Sequence, residues 1–94
     1  MHFVIMCQDK PGQAETRAAH REAHFAHLDH YADYIIEAGP LMAEDGSHSV
    51  GSLLIVNFED RSSAEKFIQA DPFHKAGIFE AVLLRPYKKI LPRK

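Results

Sequence analysis

Two residues far apart in the chain, His24 and Asp71, have the side chains of a proton-transfer pair. Histidine titrates near neutral pH, and a carboxylate on one ring nitrogen fixes the tautomer and raises the basicity of the other. Such a pair does general acid or base chemistry on a small molecule with an acidic proton. Elimination, isomerisation and hydrolysis all fit, and none needs a cofactor. Of the 7 histidines, His20, His24, His27 and His30 share one stretch free of proline and glycine. His24 is expected at the edge of that stretch's buried stripe, beside Leu28 and Tyr31, whereas His20, His27 and His30 read as solvated. Asp71 precedes Pro72, the order of an N-cap and first position of a short helical turn, Pro72-Phe73-His74-Lys75. Capping alone accounts for Asp71, and a capping carboxylate still has lone pairs for an imidazole.

Three further residues are candidates for holding a substrate. Ser52 offers a hydroxyl at the start of an apolar strand, Gly51 permits close backbone approach there, and Arg21 places a cation beside His20 and His24. No Gly-x-Ser-x-Gly elbow surrounds Ser52, which argues against a serine nucleophile. Phe3, Phe25, Tyr31, Phe73 and Phe79 can line a pocket, although core packing is the commoner use of each. Cys7, the 1 cysteine, reads as a buried apolar side chain rather than a nucleophile, and no intrachain disulfide is expected. His20 and His24, four apart on a helix, can reach one ion, with a third ligand from His27, Asp71 or His74. The intervening Arg21-Glu22-Ala23 is not the His-Glu-x-x-His pattern, and the arginine opposes a cation, so no native metal site is expected. With no glycine-rich phosphate loop, dinucleotide fingerprint or zinc-ribbon spacing, no cofactor is expected either.

Punctuation along the chain indicates the elements that must position these residues. His2–Gln8 predicts a strand, closed by Asp9-Lys10-Pro11-Gly12. From about Gln13 to Ala38, Phe25, Leu28, Ala32, Ile35 and Ile36 follow one helical face centred on Phe25 and Ala32, with the part up to Arg17 weaker. Gly39-Pro40 is expected to end this helix. Leu41–Ala43 predicts a short strand, Glu44-Asp45-Gly46-Ser47 a turn, and Val50–Phe58 the clearest strand. Ser62-Ser63-Ala64-Glu65 has the form of a capping box, opening a helix that buries Ala64, Phe67 and Ile68 and ends near Ala70. Ile78–Arg85 is the last strand, stopped by Pro86. The order β-α-β-β-α-β predicts an α+β, ferredoxin-like sandwich: one antiparallel sheet with both helices on one face, a single domain over residues 1–94.

The strands are apolar on both faces. Phe3, Ile5 and Cys7 oppose Val4 and Met6; Leu54, Val56 and Phe58 oppose Leu53 and Ile55; Ile78, Val82 and Leu84 oppose Phe79, Ala81 and Leu83. A sheet with one wet face alternates apolar with polar, and two helices cover one face only. The second face therefore predicts a homodimer packed sheet to sheet, a dimeric α+β barrel, over a monomer whose C-terminal tail covers it.

Composition sets the remaining bounds. The chain has 94 residues, 46% hydrophobic and 26% charged, with a formal net charge of -2. That balance gives no steering toward nucleic acid or an anionic membrane. The basic cluster Lys88, Lys89, Arg93 and Lys94 reads as a solvated tail. No apolar run suits a membrane span and no signal-peptide pattern opens the chain, so a cytoplasmic location is expected.

Several segments, taken in order, resemble the YCII-related (YciI-like) family. They are the opening strand from His2 to Lys10, Arg21-Glu-Ala-His24-Phe, Ala38-Gly39-Pro40, Gly51-Ser52, Ala70-Asp71-Pro72-Phe73, Ala76-Gly77 and Arg85-Pro86-Tyr87-Lys88-Lys89. Each is weak alone; the ordered set spans essentially the whole chain. The resemblance implies a ferredoxin-like dimeric α+β barrel and an active site around a histidine and an aspartate, mapping onto His24 and Asp71. One branch is similar in fold and pair to a dehydrochlorinase of chlorinated hydroxyquinols. His27, His30 and His74 lie outside the family pattern. The leading reading is a cofactor-independent lyase, isomerase or hydrolase. A non-catalytic small-ligand-binding or accessory domain is the alternative, with a cofactor-free monooxygenase of the related barrel superfamily behind it.

Overall fold

The computed structural model describes residues 1–93. Strands β1 (His2–Asp9), β2 (Ile35–Met42), β3 (Ser49–Asn57) and β4 (Phe79–Pro86) form one antiparallel sheet in the order β2-β3-β1-β4. Helix α1 (Ala14–His30) joins β1 to β2 through a 3-10 turn at Ala32–Tyr34, while α2 (Arg61–Gln69) and the short α3 (Pro72–Lys75) join β3 to β4. The fold is the α+β, ferredoxin-like arrangement that the element order implies.

The register places Phe3, Ile5 and Cys7 of β1 beside Val56, Leu54 and Ser52 of β3, and Ile5 beside Leu84 of β4. These side chains share the helix-covered face and, Ser52 apart, form the buried core with Phe58, Ala64, Phe67 and Ile68. A register shift between Gln8 and Asp9 pairs Asp9 with Phe79. Phe79 thereby joins the core side instead of opposing Val82 and Leu84, because the extra residue of a bulge reverses the alternation. The other face carries Val4, Met6, Leu53, Ile55 and Leu83, with Met6 42% and Leu83 46% exposed.

Three local expectations are corrected. Helix α1 ends at His30, and Ile35 to Pro40, expected as its last turns and stop signal, lie in β2. The spacing of Ala32, Ile35 and Ile36 continues a helical pattern by coincidence. Ile35 packs on the core from a strand, where β-branched residues are favoured. Pro40 is accommodated because β2 pairs only with β3, and an edge strand has a side needing no N–H. Second, the part up to Arg17, weak enough in the sequence to be loop, is helical from Ala14, so Arg17 is a helix residue. Third, α2 is capped by Asp60, whose carboxylate accepts from Ser63 N at 2.8 Å, and not by Ser62.

The inward stripe of α1 is also rotated from the expected one. Phe25 is 54% exposed, and the helix buries Arg17 and His24 instead. Leu28 and Tyr31 complete that stripe at the core's edge.

Candidate active site

Arg17 and His24 are seven residues apart on α1, two turns along one side of the helix. A polar stripe turned toward the core needs partners, and three other elements provide them. Asp9, at the end of β1, takes Arg17 Nε at 2.6 Å and Nη2 at 3.0 Å, a bidentate ion pair. Arg17 Nη2 also donates to Gly51 O at 2.9 Å and Ser52 Oγ at 3.1 Å on β3.

Asp71 meets His24 from α3. Its carboxylate caps that helix, accepting from Phe73 N at 2.9 Å, with Pro72 in the first turn. The same carboxylate lies 2.9 Å (Oδ1) and 3.1 Å (Oδ2) from His24 Nδ1. An ionised carboxylate only accepts hydrogen bonds, so Nδ1 carries the proton and a neutral ring keeps its lone pair on Nε2. Phe73 fixes the ring plane by stacking on His24 at 3.9 Å with an 8° interplanar angle. Arg17 Cζ lies 4.8 Å from the centre of the same phenyl ring. Asp71 is 1% and His24 8% exposed.

A cavity of about 210 Å³ opens against this group, lined by Arg17, Arg21, His24, Leu28, Ser52 and Phe73 among others. Its volume, below the usual range of ligand pockets, admits a molecule no larger than a single ring. The structure thus brings together His24, Asp71 and Ser52, and places Arg21 on the cavity wall. Gly51 does not line the cavity. A Cβ there would collide with the Cys7 carbonyl oxygen, and its own carbonyl is held by Arg17.

Arg17 and Asp9 are absent from the sequence-based candidates. The signal the sequence offers for them is an arginine two turns before His24, on the weaker part of the helical pattern. His27, read as solvated, is half-buried instead, with Nε2 2.9 Å from Phe67 O and its ring stacked on Phe67 at 5.1 Å. It ties α1 to α2 and lies outside the cavity lining. His20 is half-buried and His30 exposed. Among the described residues, no three His, Cys, Asp or Glu side chains gather as metal ligands. Cys7 is a free, fully buried thiol. Burial pushes its pKa up to about 12, the Asp71 and Asp9 carboxylates add to the rise, and Arg17 opposes it. At neutral pH it is a thiol and a poor nucleophile.

No helix among the described residues is long and apolar enough to cross a membrane. The protein YciI of Escherichia coli O6:H1 is 36% identical over 97 residues, covering 96% of this chain and 99% of that protein. An uncharacterized protein of Haemophilus influenzae is 34% identical over 97 residues, with the same coverage of 96% and 99%. Among solved structures, the 5-chloro-2-hydroxyhydroquinone dehydrochlorinase (TftG) of Burkholderia phenoliruptrix AC1100, in complex with 2,5-dihydroxybenzoquinone, superposes with a TM-score of 0.86. It is 33% identical, and the match covers 94% of each chain. The model of the YCII-related domain matches residues 1–88. With the sheet order, the ordered motifs and these relatives in agreement, the chain belongs to the YCII-related family.

Proposed function

We propose that the protein is a small-molecule enzyme in which His24 and Asp71 move a proton, with elimination as the reaction class. The observation that carries this is the Nδ1-to-carboxylate contact of 2.9 Å beside an open cavity. Asp71 holds Nδ1–H, and Nε2 acts as general base. Nε2 takes a proton from an acidic O–H or C–H of the substrate, and the electron pair left behind expels an anionic leaving group such as chloride. The imidazolium formed is stabilised by Asp71, then returns its proton to water. Ser52 and Arg21 orient the substrate's oxygens, and Phe73 keeps the imidazole plane fixed. Likeness to a dehydrochlorinase at 33% identity supports this reaction class.

His24→Asn is the informative variant. An asparagine amide replaces the Nδ1–H donor to Asp71 and removes Nε2. Chloride release from 5-chloro-2-hydroxyhydroquinone is expected for the native protein and is expected to fall about 10²–10⁴-fold in the variant, the usual worth of a general base. Equal release by both proteins ends the proposal. Tight binding of 2,5-dihydroxybenzoquinone without turnover of the chlorinated compound points instead to a ligand-binding module.

We further propose that a second copy covers the open sheet face. Supporting this, Met6 and Leu83 are 42% and 46% exposed side by side on paired strands, with Val4, Leu53 and Ile55 on the same face. A contiguous apolar face of this kind marks an interaction surface. Light scattering on a sizing column is expected to give twice the chain's 10.6 kDa; a monomer at micromolar concentration overturns the dimer. The single cysteine, buried as a free thiol, suits the cytoplasmic location we propose for this activity.

A further inference from the structure

A second cavity, about 270 Å³, adjoins the first and shares Arg17, Arg21 and Ser49 with it; its other walls include Ser47 and His48 of the β2–β3 turn. The two cavities are chemically unlike. The first has Leu28, Leu54 and Phe73 in its wall, which suit a ring, whereas the second is walled by two arginines, two serines and His48 together with Ala14 and Met42. No Asp or Glu lines either cavity, although the chain has 13 acidic against 11 basic residues.

The two shared arginines are not equivalent. Arg17 is neutralised by Asp9. Arg21 is exposed and makes no ion pair or side-chain hydrogen bond with another of the described residues, so its planar pair of donors is available to a ligand. The turn opposite is fixed. Asp45 Oδ1 accepts from Ser47 N at 3.0 Å and from Ser47 Oγ at 2.7 Å, which holds the turn in place beside the cavity. With its proton given to Asp45, Ser47 Oγ accepts from His48 Nδ1, 2.9 Å away.

We infer that the second cavity is an anion subsite of the reaction cavity, which favours ring compounds bearing a carboxylate over the uncharged hydroquinone. Arg21 pairs with the carboxylate and Ser49 and His48 flank it, while the ring lies against Phe73 within reach of His24. This rests on the proposed use of the first cavity as the reaction site. It adds the substrate's charge and the residue that selects for it.

Benzoate and its uncharged isostere benzamide are the probes, with affinity measured by calorimetry and the Ser49 amide followed by NMR. Benzoate is expected to bind about tenfold or more tightly than benzamide, the worth of one charge-assisted contact, and to shift Ser49. Arg21→Gln is expected to abolish that preference and the Ser49 shift, lowering benzoate affinity more than benzamide affinity. Equal binding of the two compounds, no binding of either, or an Arg21→Gln effect equal on both overturns the subsite. His24→Asn separates this inference from the proton-transfer reading. It is expected to retain the benzoate preference even where turnover is lost, and a preference that depends on His24 rather than Arg21 sinks the subsite alone.

Discussion

Helices α1 and α2 cover the same face of the sheet and bury opposite kinds of side chain. From α2, Ala64, Phe67 and Ile68 close against Phe58 and the strands with nothing polar to satisfy. From α1, Arg17 and His24 point inward, and each draws a carboxylate from elsewhere in the chain. Apolar surfaces can seal against each other without directional demands. A guanidinium and an imidazole need partners at fixed distances, and the space left between those contacts is the cavity. One half of the layer therefore supplies stability, and the other gives up some of it to hold charged groups in place.

That contrast can be broken from either side. The largest loss of stability is expected on the α2 side: Phe67→Ala is expected to cost about 3–5 kcal/mol in urea unfolding, with ligand binding per folded molecule retained. A loss confined to binding reverses the assignment of the two halves. On the α1 side, Arg17→Met leaves the Asp9 carboxylate, 6% exposed, without its cation. The expected cost is about 3 kcal/mol, and adding Asp9→Asn is expected to restore part of it, because the unpaired buried charge carries the penalty. A double variant no better than the single one removes that explanation.

The smallest effect sharpens the comparison through Cys7, which lies beneath the charged half. Its pKa is raised from 9.0 to about 12 in the folded chain, with burial the leading cause. The folded state therefore holds this proton longer than the unfolded state. The resulting stability is fully present below the unfolded value of 9.0 and is lost as pH rises from there toward about 12. Between about pH 9 and pH 10 the native protein is expected to lose about 1 kcal/mol more than Cys7→Ala does. Parallel pH profiles for the two proteins contradict this.

Legibility in the sequence differed between the two halves for the same reason. The buried side of α2 follows from Ala64, Phe67 and Ile68 at helical spacing, since apolar side chains declare their own burial. Asp71 with Pro72 declared the cap of α3 in the same local way. On α1 the apolar count pointed to Phe25, which is exposed. Nothing in its helical spacing signals that this arginine will be buried, because Arg17 is held there by Asp9 of β1 and by the Gly51 and Ser52 oxygens of β3. The stretch from Ile35 to Pro40 failed differently: its spacing fits a helix, and only the vacant edge of β3 makes a strand the better home.

The amino-acid order by itself determined the element succession, the apolar face of α2, the capped turn carrying Asp71 and the residue types able to move a proton. Those follow from short-range spacing and capping, which act within a few residues. Tertiary structure alone decided which side of α1 turns inward, that His24 and Asp71 meet at 2.9 Å, and that a cavity lies beside them. Each depends on contacts that bring separate elements together, from Arg17 with Asp9 of β1 to His24 with Asp71 of α3, and a buried charge chooses its orientation only when the opposite charge has been brought to it.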